Sequence, residues 1–289
     1  MFTLRQYLLA LLDSRGLTRT LGEIDVCRDE QGRPCFSAGN SAAVFRIRLG
    51  GRIRSLRCYL RPMRHLKEIY GQRLLEKELY LHTSPETGVW VDTVLGDWIE
   101  GSTLHETVAQ AAALRDRECL QILVRLFDRL ALALVTDDRA HGDLKPENII
   151  VGDDGTLCPI DFDASYLPAF AGEISPELGT AAYQHPARTA ADFDERIDDY
   201  PAALISTALH ALAEDPTLWD RYGSSDGLLY TPQRIASDPA YRETLALFEK
   251  RGMAVQYRIA QLLTAPTLRL FGLAELLAEA VREKPAARS

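Results

Sequence analysis

The texture of the chain changes near residue 100, and that change constrains the fold more than any other feature. Before it, short β-prone runs alternate with turns. Val44 to Leu49 and Ile53 to Leu60 flank Gly50–Gly51, the glycine pair of a tight hairpin. Leu79 to Thr83 and Val89 to Leu95 flank Ser84-Pro-Glu-Thr-Gly88 in the same way. Between these pairs, Met63, Leu66, Ile69, Tyr70 and Leu74 recur at helical spacing. Phe2, Leu4, Leu8, Leu11 and Leu12 give the N-terminus one apolar helical face. From Thr103 onward the patterns are long and helical, over Leu120 to Val135, Ala202 to Leu212 and Leu268 to Val281. A small β-rich front and a larger helical back predict an α+β chain in two lobes joined near Asp97 to Gly101. The expected division is 1–100 and 101–283, followed by a short tail, 284–289, with the composition of a disordered segment.

Composition narrows the function classes. A chain of 289 residues accords with two lobes. With 46 % hydrophobic and 26 % charged residues, it has the make-up of a folded globule. Lys and Arg number 33 against 41 Asp and Glu, a net charge of −8. That balance opposes a nucleic-acid partner, because neutralising phosphates needs a basic face. No run approaches the roughly 18–20 apolar residues that span a bilayer, so no membrane role is expected. The apolar N-terminus lacks a basic leader and a small-residue cleavage site, which predicts a cytoplasmic protein. Cys27, Cys35, Cys58, Cys119 and Cys158 are odd in number and without C-x-x-C spacing, as expected of reduced core thiols.

The segment that carries chemistry is His141-Gly-Asp-Leu-Lys-Pro-Glu-Asn148, followed by Ile160-Asp-Phe-Asp163. Phosphoryl transfer from a nucleotide needs a carboxylate to orient the attacking hydroxyl. It needs hard oxygen ligands for magnesium and a cation for the charge developing on the transferred group. Asp143 suits the first task, Asn148 with Asp161 the second, and Lys145 the third. A lone Asp is usually a solvated turn residue, but several polar residues at fixed spacing seldom coincide by chance. His141 reads as a structural donor that braces the loop.

This cluster resembles the protein kinase superfamily. His141, Asp143, Leu144 and Asn148 match H-R-D-L-x-x-x-N, with Gly142 in place of Arg, and Asp161-Phe162 matches the start of D-F-G. The spacings agree, five residues from Asp143 to Asn148 and thirteen more to Asp161. Gly179-Thr-Ala-Ala-Tyr-Gln-His-Pro-Ala187 resembles the end of a kinase activation segment, and Asp198-Asp-Tyr200 stands where kinases place an Asp that braces the catalytic loop. A helix N-cap is the ordinary reading of that Asp pair and is compatible with it.

The resemblance implies a two-lobed kinase-like fold and an ATP- and Mg-dependent serine/threonine kinase acting on a protein. Thr180 would then bond Asp143 and Lys145. Gly39, Asn40, Ser41 and Val44 fall in the place of the glycine-rich loop, of whose three glycines one remains. Arg57 stands where the phosphate-pairing Lys is expected. Glu76 is its expected acidic partner, with Glu68 the alternative. Asp97 and Ile99 fall in the hinge that would bond adenine, behind Gly96. The departures are Arg57 for Lys, Gly142 for Arg, Ala187 for the closing Glu, and Asp163, which adds a carboxylate near the metal ligands Asn148 and Asp161. They resemble a bacterial subgroup of atypical kinase-like proteins. Two other functions stay open. One is a pseudokinase that binds nucleotide or scaffolds a partner. The other is a small-molecule kinase of aminoglycoside or choline type.

Overall fold

The computed structural model describes residues 1–283, and the tail assigned to 284–289 lies outside them. The chain divides into two compact units, Met1–Ile99 and Glu100 onward. Both mix helix and strand, so the chain is α+β.

The first unit is a curled antiparallel sheet with one helix packed on it. Its strands are β1 (Asp25–Val26), β2 (Phe36–Ala38), β3 (Ala42–Leu49), β4 (Arg52–Tyr59), β5 (Leu74–His82) and β6 (Gly88–Asp97). The order is β1-β3-β4-β6-β5, and β2 pairs with β3 beside β1. Gly50 and Gly51 both take left-handed φ, 56° and 80°, as a two-residue hairpin turn demands. Alternation along the strands puts Ala43, Phe45, Ile47, Leu56 and Cys58 into the core. Helix α1 (Leu4–Leu12) closes that face, with a capping box between Thr3 and Gln6 fixing its start.

Two sequence expectations change here. Phe2, Leu4, Leu8 and Leu11 of the expected α1 face do pack on the core, but Leu12 is exposed and the fully buried residues are Tyr7, Ala10 and Leu11. Tyr7 turns inward because its hydroxyl finds an acceptor there, the Tyr59 carbonyl at 2.6 Å. The helix expected across Met63 to Leu74 shrinks to α2 (Leu66–Tyr70), followed by one 3-10 turn over Gly71–Arg73. Gly71, at φ 53°, ends it, and Leu74 already begins β5. Glu78 is 1 % exposed and accepts the N–H groups of Arg19, Thr20 and Leu21 and the Thr20 hydroxyl, pinning that loop to β5. All five cysteines are free, and Cys58 alone is fully buried.

In the second unit, β7 (Gly101–Thr103), β8 (Ile149–Gly152) and β9 (Leu157–Pro159) form a small antiparallel sheet. The helices are α3 (Leu104–Ala113), α4 (Arg117–Thr136), α5 (Asp199–Glu214), α6 (Leu218–Tyr222), α7 (Pro239–Arg251), α8 (Ala254–Leu262) and α9 (Leu273–Arg282). Helix α5 is predominantly apolar and buried on nearly every side, as a central helix must be. It packs on the Leu120, Leu123, Val124 and Phe127 stripe of α4. The one carboxylate on that stripe, Asp128, accepts hydrogen bonds from Ser206 Oγ at 2.7 Å and His210 Nε2 at 2.8 Å. No helix among the described residues is long and apolar enough to cross a membrane.

Asp199, in the first turn of α5, is 3 % exposed. Its Oδ2 accepts the Leu270 N–H at 3.3 Å, and its Oδ1 is buried without a partner. Burial pushes its pKa up from 3.8 to about 6. Between those values the folded chain holds a proton that the unfolded chain has lost, so stability falls as pH rises and the loss is complete above about 6. Asp199→Asn keeps the acceptor for Leu270 and removes the charge. Urea unfolding at pH about 4 and about 7 should show the variant gaining on wild type by about 1–3 kcal/mol at the higher pH. An unchanged difference would show Asp199 to be ionised in the fold.

Candidate active site

The loop from His141 to Asn148 is held by its backbone before any side chain acts. Asp198, at the N-terminus of α5, accepts the N–H of His141 at 2.5 Å and that of Gly142 at 3.0 Å. Ala140 and Tyr166 exchange both backbone bonds, tying the loop to the segment that follows Asp161. Burial raises the Asp198 pKa, while the two N–H donors and the Arg188 guanidinium act against that rise. The side chain therefore braces the loop, and it makes no cap bond to its own helix.

His141 is 2 % exposed. Its Nδ1 accepts the Asp143 N–H at 3.3 Å, so its Nε2 carries the proton and donates to the Ile160 carbonyl at 2.8 Å. Its ring packs on that of Phe162, centroids 5.1 Å apart. A neutral ring with both nitrogens engaged is a structural donor.

The side chains expected to act converge on Asp143. Its Oδ1 accepts the Thr180 N–H at 2.6 Å, and Asn148 Nδ2 lies 3.2 Å from its Oδ2 and 2.9 Å from its carbonyl. Lys145 Nζ stands 3.5 Å from Asp143 Oδ2 and donates to Thr180 Oγ1 at 2.9 Å. Asp143 and Lys145 remain 17 % and 23 % exposed, enough to meet a substrate. Two glycines make this approach possible. Gly142 has φ 81°, and a Cβ there would lie 2.0 Å from the Ala164 carbonyl. Gly179 has φ 71°, and a Cβ there would lie 2.7 Å from the Gly142 carbonyl and 3.0 Å from Asp143 Oδ1.

The β8–β9 ladder continues into a bond from Ile160 N to the Asn148 carbonyl at 2.9 Å, which sets Asn148 beside Ile160–Asp161. Asp161 takes a left-handed φ of 68°. Because Asn148 spends its Nδ2 on Asp143, its Oδ1 is the atom left to offer a cation. With the Asp161 carboxylate, this donor set is hard oxygen and fits magnesium. Asp163 is buried in the 3-10 turn that follows. Among the described residues, no three His, Cys, Asp or Glu side chains gather into a cage that would hold a metal unaided.

The remaining candidates lie in the first unit. Gly39, Asn40 and Ser41 form the β2–β3 turn, closed by Gly39 N to the Ala42 carbonyl at 2.9 Å. Val44, Arg57 and Val94 are register partners across β3, β4 and β6, so they share one face of the sheet. The Arg57 guanidinium lies 5.9 Å from the Tyr59 ring, on the face opposite Leu56 and Cys58. Glu76 lies on β5 rather than on a helix, 62 % exposed, with Lys67 at 3.5 Å. Glu68 is on α2 and exposed. The Asp97 carboxylate pairs with Arg54 at 2.7 Å, and its carbonyl accepts the Ser55 hydroxyl at 3.1 Å. Ile99 is half-buried at the end of the unit.

Sequence reasoning missed Arg188. Its Nη1 donates to the Gly142 carbonyl at 3.1 Å and to Gln184 Oε1. Nothing within 45 residues of Gly142 marks that partnership. It arises from the fold alone.

The glycine geometry is testable by substitution. Gly155 has φ 77° and open space around it, so Gly155→Ala meets only backbone strain, about 1–2 kcal/mol. Gly142→Ala meets the same strain and the Ala164 carbonyl. Chemical denaturation should show the larger loss at Gly142, and equal losses would mean that the 164 carbonyl yields without cost.

No family model matches the chain. Among curated proteins, it is 28 % identical over 172 residues to CBL-interacting protein kinase 17 of Oryza sativa subsp. japonica, covering 56 % of this chain and 35 % of that one. It is 34 % identical over 113 residues to serine/threonine-protein kinase PknL of Mycobacterium tuberculosis, covering 37 % of this chain and 27 % of that one. The chain thus spans between about a quarter and about a third of the length of the curated relatives it matches. Over those stretches it is similar to serine/threonine protein kinases.

Proposed function

We propose that the chain is an ATP- and Mg-dependent kinase that transfers a phosphoryl group to a serine or threonine hydroxyl of a protein, on a two-lobed kinase-like fold in the cytoplasm. The observation that carries this reading is the Asp143 cluster. Its carboxylate is fixed by the Thr180 N–H and the Asn148 amide, with the Lys145 ammonium alongside.

Each residue then has a task. Asp143 accepts a hydrogen bond from the attacking hydroxyl and orients it, since Thr180 and Asn148 prevent its carboxylate from rotating. Lys145, steadied by Thr180 Oγ1, offsets the negative charge that grows on the transferred group. Thr180 links the two and sets the segment against which a protein substrate would lie. Asn148 Oδ1 and Asp161 would hold magnesium, which supplies charge neutralisation on the nucleotide phosphates; Asp163 adds a nearby carboxylate. In the first unit, Gly39 to Ser41, Val44 and Arg57 would serve the phosphates, and the backbone of Asp97 and Ile99 the base. The acidic balance of the chain argues for a protein over a nucleic-acid substrate.

One observation favours a second reading, a nucleotide-binding regulator without transfer. Helix α2 has five residues, and Glu76, the expected partner of Arg57, is an exposed strand residue beside Lys67.

Labelled ATP with magnesium, offered with the chain alone and with a generic basic protein, tests the proposal. Asp143→Asn should keep nucleotide affinity and lose about 10²- to 10⁴-fold in turnover. Asp161→Ala should lose the magnesium-dependent part of thermal stabilisation by ATP, and Arg57→Ala should bind ATP more weakly by about 1.5–3 kcal/mol. ATP binding without any transfer would move the assignment to the second reading. Stabilisation by ATP that survives Asp161→Ala would remove the metal assignment.

A further inference from the structure

Beside the catalytic loop, and wholly within the second unit, lies a cavity of about 220 Å³. Its lining includes Arg188, Arg196 and Arg269 together with Asp192 and Asp194. Arg188 is 9 % exposed, and its Nη1 is committed to Gly142 and Gln184. Its Nε and Nη2 are buried and meet no acceptor of the protein. Those two N–H groups share one edge of the guanidinium, the edge that grips a carboxylate or phosphate through two parallel bonds.

One oxygen of each nearby carboxylate is engaged elsewhere. Asp192 Oδ2 takes the N–H and the hydroxyl of Thr189, at 2.7 and 2.8 Å, and Asp194 Oδ1 takes the Arg196 N–H at 2.8 Å. Arg196 spends Nη1 on the Val135 carbonyl and has Glu195 at 3.8 Å from its Nε. His185 also lines the cavity but adds no charge. Its Nδ1 accepts the Ala187 N–H at 3.1 Å, so Nε2 donates to the Ala265 carbonyl at 3.0 Å. Three cations thus face two anions around the cavity. A buried guanidinium with an unused edge is costly, and burial pushes the Arg188 pKa down against the pull of Asp198, Asp143, Asp192 and Asp194. An oxyanion that reached that edge from the cavity would remove that cost.

We infer that this cavity binds an oxyanion, a phosphate or a carboxylate, gripped by the Nε–Nη2 edge of Arg188, with the exposed Arg269 at its mouth. Because Nη1 of the same guanidinium holds the Gly142 carbonyl, the occupant is felt at the peptide that precedes Asp143. The inference uses no nucleotide and stands whether or not the chain transfers phosphate.

The arginine Nε–H signals of the ¹⁵N-labelled full chain report directly on the site. Inorganic phosphate and, separately, acetate are titrated without nucleotide, and the Arg188 signal is the one missing from Arg188→Lys or, if that variant does not fold, the one assigned through its own side chain. The expected result is a saturable shift of the Arg188 signal, weakened about tenfold in Arg269→Ala and unchanged in Asp161→Ala. Saturation by phosphate alone marks a tetrahedral ligand, and saturation by acetate as well marks a carboxylate. An Arg188 signal that stays still with both anions, or one that drifts without saturating and equally in Arg269→Ala, overturns the inference.

Discussion

Asp198 sits at the N-terminus of α5 with 1 % of its surface exposed, and there it accepts the N–H groups of His141 and Gly142. A buried carboxylate needs compensation. The free N–H groups at the start of a helix favour a negative charge, and the Arg188 guanidinium adds to that field. Without Asp198, two buried N–H groups would lose their acceptors, each costing about 1–3 kcal/mol. The consequence reaches beyond stability. Helix α5 is buried at every position from Tyr200 through Ala213 except His210, so it is held rigidly within the second unit. By holding the loop two residues before Asp143, Asp198 passes that rigidity to the candidate catalytic carboxylate. The backbone is thereby held, and the Thr180 N–H and the Asn148 amide then fix the carboxylate itself.

The first unit uses the same device at another place. Glu78 gathers three backbone N–H groups and a hydroxyl from Arg19 to Leu21 and fixes a loop that has little apolar surface to bury. In both units a buried carboxylate does what a secondary-structure ladder cannot, because the chain it holds is irregular and its N–H groups need acceptors.

What the sequence made legible follows from the range of the interactions. The hairpin at Gly50–Gly51 is local chemistry, a pair of left-handed residues between β-prone runs, and it lies where the pattern puts it. The long helices α4 and α5 are equally local, set by periodicity over many turns. The stretch from Met63 to Leu74 misleads because five apolar residues can satisfy helical spacing across a helix end, a 3-10 turn and a strand start. Gly71 was the signal against it. The polar cluster of the site was legible because His141 to Asn148 lies in one short loop. Its supports were not, since Glu78 lies about sixty residues from the loop it holds and Asp198 lies 57 from His141. A brace made to backbone N–H groups leaves no mark on the residues it braces.

Gly142 is the sharpest departure from the kinase pattern in this loop, and the backbone gives it a reason. At φ 81° its N–H turns to Asp198 and its carbonyl to Arg188. Any side chain on that backbone would begin 2.0 Å from the Ala164 carbonyl, so an arginine here is excluded by the conformation. The positive charge that the kinase pattern carries beside the catalytic Asp is nevertheless present. It comes from residue 188, just past the Gly179-to-Ala187 segment, and its guanidinium reaches the same peptide from 46 residues away. Moving the charge from the loop to the end of that segment changes what can act on it. A side chain at 142 would answer to groups around the loop, whereas Arg188 answers to whatever lines its own cavity and to the segment that carries it. The Gly142 carbonyl and Arg188 thus join the Asp143 loop to the cavity that Arg188 lines, and the glycine is the condition for that contact.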